Sequence, residues 1–158
     1  MLAKHLSLGF LSSLRFSSSA ESRVLKPGDI LRKTRIFSDV DVIEYSKVSN
    51  DSNPLHFDPE YARNAGFQDR LVHGMLVASL FPRIISSHFP GAIYVSQSLH
   101  FKLPVYVGEE TSGEVKVINL RENKKKYLVK FSTRCFKNGD LIVLDGEAMA
   151  FLPTLSIE

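Results

Sequence analysis

Cysteine is almost missing from this chain: Cys135 is the single one among 158 residues. One thiol excludes an internal disulfide and any thiolate-rich zinc site. Cys135 itself reads as a small buried strand residue rather than a reactive group. No apolar run reaches the roughly 20 residues that a membrane-spanning helix needs, so no membrane insertion is expected. A basic stripe with interleaved aromatics is also absent, which speaks against a nucleic-acid partner. The first twenty positions hold two basic residues and no acidic one. Without Lys4 and Arg15 from that stretch, the 20 basic residues become 18 against 17 acidic ones, and the net charge of +3 falls to +1.

What is present fits one globular domain with a single core: 44% of residues are hydrophobic and 23% charged. The acid-free opening, MLAKHLSLGFLSSLRFSSSA, is crowded with serine. Its Leu2, Leu6, Phe10 and Leu14 fall near helical spacing. Residues 1–20 therefore read as a mitochondrial transit peptide, with a plastid address as the alternative, and 21–158 as the mature domain. Cleavage is expected near Arg15–Ser17.

Beyond the turn at Lys26-Pro27-Gly28-Asp29, Ile30 to Phe37 reads as a strand. Ser38 followed by Asp41 is a helix-start signal for a short helix ending near Asn50. Pro59 opens a second short helix over Glu60 to Ala65, stopped by Gly66. From Gly74 to about His88 lies the most apolar helical stretch, expected to be buried on all sides, with a kink or restart at Pro82. The pattern then switches to strands. Ile93, Val95 and Leu99 to Leu103 read as one strand, followed by Thr111 to Leu120, Tyr127 to Thr133 and Leu141 to Phe151. A buried helix followed by such a meander predicts an α+β architecture, a curved antiparallel sheet wrapped around the helix.

The chemistry-bearing stretch is Asp51-Ser52-Asn53-Pro54-Leu55-His56, with His73-Gly74 seventeen residues later. Pro54 forbids a regular helix between the acid and the imidazole, so a fixed loop sets their separation. A turn aspartate and an ordinary Asn-Pro turn are the bland alternatives. His56 and Asp58 could pair as metal ligands, but no third ligand has suitable spacing, so no metal is expected. Gly74 opens the apolar helix, where its N–H is an unpaired donor and the absence of a side chain permits close approach.

Taken together, Tyr45-Ser46, Ser49-x-Asp51-x-Asn53-Pro54-Leu55-His56-x-Asp58, Ala62, Phe67 and Leu71-Val72-His73-Gly74-Met75 form an ordered pattern. A second block runs Gln97-Ser98-Leu99-x-Phe101-Lys102-Leu103-Pro104-Val105-x-Val107-Gly108. These residues resemble the MaoC-like branch of the hotdog-fold hydratases and dehydratases, over about Leu25 to Pro153. The resemblance implies a hotdog fold, an Asp51–His56 catalytic pair and a Gly74 amide on the thioester carbonyl. Some relatives carry a serine where this chain has Pro82, so no hydroxyl contact is expected there. No cofactor is implied. A homodimer is, because pairing covers an exposed sheet edge.

Dehydrating a 3-hydroxyacyl thioester needs a base at C2, an acid at the C3 hydroxyl and a stabiliser of charge on the carbonyl oxygen. His56 suits the base role and Asp51 the partner at the C3 oxygen. Asn53 is expected to tie the loop, and His73 either to pack or to contact substrate. Arg70 and Lys102 are candidates for a phosphopantetheine phosphate. Lys124-Lys125-Lys126 reads as a hairpin turn, or else as an attractor of an acidic acyl carrier protein. With the organellar address, the resemblance implies dehydration of (3R)-3-hydroxyacyl thioesters of acyl carrier protein in mitochondrial type II fatty acid synthesis. The alternatives are an (R)-specific enoyl-CoA hydratase and a non-catalytic acyl-thioester-binding module.

Overall fold

The computed structural model describes residues 23–157; the transit-peptide expectation for 1–20 lies outside them. A two-residue strand β1 (Arg23–Val24) pairs with the terminal β8 (Ser156–Ile157). The main sheet is built from β2 (Ile30–Ile36), β5 (Glu110–Asn123), β6 (Lys126–Lys137), β7 (Leu141–Leu152) and β3 (Ile93–Gln97), antiparallel throughout and in that spatial order. A short β4 (His100–Phe101) also pairs with β7. The meander expected from the sequence is β5–β6–β7, joined at a tight turn where Lys124 takes a positive φ.

Alternation along these strands decides which face is the core. Thr111, Gly113, Val115 and Val117 of β5 face inward, as do Val129, Phe131, Thr133 and Cys135 of β6. Cys135 is fully buried, and burial pushes its thiol up to about 12, so it is an unreactive packing group. On β7 the adjacent Val143 and Leu144 are both buried. A register shift opposite Cys135 and Phe136 inserts an extra β7 residue there and lets two neighbours face the core.

Helix α1 (Asp39–Ser49) is capped as the sequence predicts: Ser38 and Asp41 form a reciprocal capping box, and Asn50 closes it in the left-handed region. A single 3₁₀ turn spans Pro54–His56, and α2 (Pro59–Asn64) starts on an Asp58 cap. The central apolar stretch is two helices, α3 (Gly74–Ala78) and α4 (Leu80–His88), of which α4 lies against β5 and β2. A Cβ on Gly113 would sit 3.0 Å from Leu80 Cβ and 3.2 Å from Ile84 Cδ1, so glycine lets the helix rest directly on the sheet.

Two expectations need correction. The helix is not buried all round: Leu80, Phe81, Ile84 and Ile85 face the sheet, while Pro82, Arg83, Ser86 and Ser87 face outward with Met75 and Ser79. The break falls at Ser79, not at Pro82 itself. Pro82 lacks the N–H that would bond the Ala78 carbonyl, so the helix stops one turn earlier and restarts with proline in its first turn. The single strand expected over 93–103 is also two pieces. Ser98 intervenes, its N donating to the Glu147 carbonyl (2.9 Å) and its Oγ accepting from Glu147 N (3.0 Å). Its carbonyl packs so closely on Gly146 that any Cβ there would collide with it.

Candidate active site

A cleft of about 520 Å³ opens where α1, α3 and the loop at 51–56 meet β7 and the segment after β4. Its polar end carries Tyr45, Ser49, Asp51, His56, His73 and Gly74; Phe67, Val77, Phe101, Leu103, Val143 and Leu144 supply apolar walls. The chain thus joins residues 51–56 and 73–74 at one end of an oily slot, the shape that an acyl chain with a reactive head requires.

Local hydrogen bonding explains how a loop of exposed residues holds this geometry. Asp51 Oδ1 accepts from Asn53 N (3.2 Å), and Asn53 Oδ1 accepts from Leu55 N (3.1 Å), so two consecutive side-chain turns lead into the 3₁₀ turn. The Asn53 side chain therefore ties the loop, and it is not among the residues lining the cleft. Leu71 grips the loop from the other side: its N donates to the Leu55 carbonyl (3.0 Å), and its carbonyl lies 2.8 Å from His56 Nδ1. A carbonyl only accepts, so Nδ1 carries the proton and Nε2 keeps a free lone pair. That Nε2 stands 3.9 Å from Asp51 Oδ2, too far for a direct hydrogen bond and close enough for both to touch one intervening oxygen.

His73 lies behind this pair. It is 2% exposed, its ring stacks on His56 with centroids 3.7 Å apart, and Tyr45 covers its other flank at 4.9 Å. Its Nε2 donates to the Asp51 carbonyl (3.1 Å), whereas buried Nδ1 has no partner. Burial, foremost, and the charge His56 can carry hold His73 below the usual imidazole range, against the opposing pull of Asp51. The ring is thus a neutral brace that carries the Asp51 backbone on one atom and the His56 ring on its face.

His73 also supplies the third ligand-type atom that spacing did not reveal: Asp51, His56 and His73 offer atoms all within 4.8 Å of one another. Rings only 26° from parallel direct their in-plane lone pairs side by side, not toward one point. The arrangement suits proton transfer better than metal binding.

Gly74 occupies the first position of α3, which has no side-chain cap, and an added Cβ would come within 2.6 Å of the Phe101 ring. The two phosphate candidates are both engaged. Arg70 pairs with Asp39 (2.6 Å), and Lys102, on the cleft wall, with Asp145 (3.2 Å). Sequence reasoning missed the Leu71 carbonyl and the packing role of Tyr45. The tyrosine stood in the quoted pattern; a backbone carbonyl leaves no signal in side-chain identity.

Residues 25–135 match the MaoC like domain. The chain belongs to the MaoC-like family. It is 63% identical over 150 residues, 94% of this chain and 90% of the relative, to the mitochondrial 3-hydroxyacyl-[acyl-carrier-protein] dehydratase of Arabidopsis thaliana. Identity to the (R)-specific enoyl-CoA hydratase of Aeromonas caviae is 42%, covering 85% of this chain and 99% of that protein. Among solved structures, the A. caviae (R)-hydratase superposes with a TM-score of 0.76 at 41% identity, over 82% of this chain and 98% of that one. An R-hydratase of Pseudomonas aeruginosa gives 0.74 at 34% identity, over 85% and 87%. This MaoC-like chain therefore has the hotdog fold and is a hydro-lyase, as expected from its two motif blocks.

Proposed function

We propose that this protein catalyses the reversible dehydration of (3R)-3-hydroxyacyl thioesters, carried on acyl carrier protein, to trans-2-enoyl thioesters in mitochondrial fatty acid synthesis. The observation that carries the chemistry is the free Nε2 of His56 standing 3.9 Å from the Asp51 carboxylate at the head of an apolar cleft. The carrier and the compartment rest on the 63% and 59% identity to plant dehydratases whose names specify both.

In the dehydration direction His56 Nε2 takes the proton from C2. The C2–H electrons form the C2=C3 double bond, the C3–O bond breaks, and the hydroxyl departs as water with a proton returned from the Asp51–His56 pair. The Gly74 amide faces the thioester carbonyl oxygen as charge gathers there; one such donor contributes about 2.7–4 kcal/mol in the transition state. In hydration the same pair holds the attacking water in its 3.9 Å gap. Residues 1–20 are read as the transit peptide that delivers the domain to the mitochondrion.

The outer edge of β3 pairs with nothing among the described residues, and Ile93 and Val95 on that strand are each 50% exposed. A second copy joined along this edge would cover both, and we assign the working form as a homodimer. Light scattering giving the mass of one chain would overturn that assignment.

The 42% identity to a hydratase named for CoA substrates favours a second reading, the same chemistry on CoA thioesters. Enoyl absorbance at matched chain length, with (3R)- and (3S)-hydroxyacyl groups on each carrier, separates the two. Preference for the (3R) substrate on carrier protein is expected. Faster turnover of the CoA ester moves the assignment to the second reading, and no enoyl formed from either carrier removes the catalytic one.

A further inference from the structure

One buried charge is unused by this chemistry. Lys137, the last residue of β6, is 8% exposed, and its ammonium lies inside the loop that follows β4. Nζ donates to the Pro104 carbonyl (2.7 Å) and to Glu109 Oε2 (3.1 Å), and stands 4.9 Å from the centre of the Tyr106 ring. Glu109 Oε2 also accepts from Tyr106 N (2.8 Å). A buried ammonium is costly unless fully paired, so these contacts hold the loop and the lysine in one arrangement.

The pinned loop is in turn the backing of the catalytic segment. Val72 N donates to the Val105 carbonyl (2.8 Å), Val107 N to the Arg70 carbonyl (3.2 Å), and Leu71 forms an isolated bridge with Tyr106. The Leu71 carbonyl between those two bonds is the acceptor for His56 Nδ1–H. We propose that Lys137, with Glu109, is a positioning residue that sets the Leu71 carbonyl and thereby fixes which ring nitrogen of His56 is the free base. This rests on the reading of His56 as the base but concerns a residue outside both motif blocks, acting through three hydrogen bonds: Lys137 to the Pro104 carbonyl, Val72 N to the Val105 carbonyl, and His56 Nδ1–H to the Leu71 carbonyl. Lysine suits the task because one ammonium satisfies a carbonyl, a carboxylate and an aromatic face at once, whereas an apolar side chain of that length, such as methionine, donates to neither oxygen.

The test uses the full chain labelled with ¹⁵N-histidine, with the His56→Ala spectrum assigning the His56 signals. Wild type is expected to show the Nδ1–H tautomer alone. Lys137→Met keeps the apolar stem and removes the donors. It should show a mixture of tautomers, a kcat lowered about tenfold and a KM within about twofold, the mark of a mispositioned base rather than lost binding. A folded Lys137→Met protein with an unchanged tautomer and kcat overturns the proposal. If that variant does not fold, Glu109→Gln decides: a partial tautomer shift and about a threefold loss of kcat support the proposal, and no change in either overturns it. Because the tautomer is read without substrate, a wild type inactive on every thioester would sink the assigned reaction and still leave this question answerable.

Discussion

The sheet-and-helix core and the catalytic loop are held together in opposite ways. In the core, Phe131, Leu144, Ile84 and Phe81 contribute by area removed from water, and neighbours of similar volume would serve almost as well. In the loop, Asp51 and Asn53 are exposed, and their positions come from single hydrogen bonds to named backbone atoms. One region is redundant and the other is not. Substitutions should therefore separate cleanly into those that unfold the protein and those that silence it.

The sharpest break in that comparison comes from the two groups proposed to react. His56→Ala and Asp51→Asn are each expected to lower kcat by about 10²–10⁴, with thermal stability close to wild type, since neither side chain is in the core cluster. Steady-state rates on a matched enoyl thioester check this. Activity within about threefold of wild type for both variants would remove them from the site.

The converse probe is Phe131→Ala. Phe131 is fully buried on β6 between Val117 and Ala148 in the sheet register. Emptying that volume should cost about 3–5 kcal/mol of stability. Turnover per folded molecule should stay near wild type below the new melting range, as measured by denaturation and by active-site-normalised rates. A folded variant with lost turnover would mean that the two regions are not separable.

How much of this was legible in the sequence follows the same division. Strand alternation, the Ser38 cap, the Asn50 stop and the Pro59 start are local rules, and the structure obeys them. The paired motif blocks brought Asp51, His56, His73 and Gly74 into view because their residue types and spacing are themselves the signal. The exposed outer stripe of α4 was legible: Arg83, Ser86 and Ser87 recur at helical spacing on one face, a polar signal that the surrounding apolar residues mask. The break at Ser98 was not legible, where a serine hydroxyl accepts a bond the ladder would otherwise make. The grip on His56 depends on a carbonyl fifteen residues away and on a lysine at the far end of β6, neither of which any spacing rule encodes.

Gly74 lies where the two regions touch. Gly74→Ala would drive its Cβ into the Phe101 ring, but Phe101 is 57% exposed and its ring has room to swing. Folding stability should change by less than about 1 kcal/mol. The displaced ring and the added methyl crowd the thioester, and kcat/KM should fall by about tenfold, or 1.4 kcal/mol. An unchanged kcat/KM would separate this amide from the reacting carbonyl.

The smallest effect is a pH dependence that marks each region in its own window. Burial lowers the His73 pKa from its ordinary 6.5, so the unfolded chain takes up that proton more readily than the folded one. The stability contributed by neutral His73 is therefore complete above about pH 6.5 and drains away as the pH falls below it. Asp29, which anchors the turn before β2, behaves differently. Hydrogen bonds from Lys26, with Arg23 beside it, hold its carboxyl down to about 2 from 3.8, so its contribution persists until the pH falls through that lower range. Denaturant midpoints measured from about pH 7.5 down to about pH 2 should fall through the upper window in wild type and fall less there in His73→Asn, with both curves steepening again below about pH 4. Parallel curves for the two proteins over the upper window would show that the His73 ring is not a neutral, buried brace.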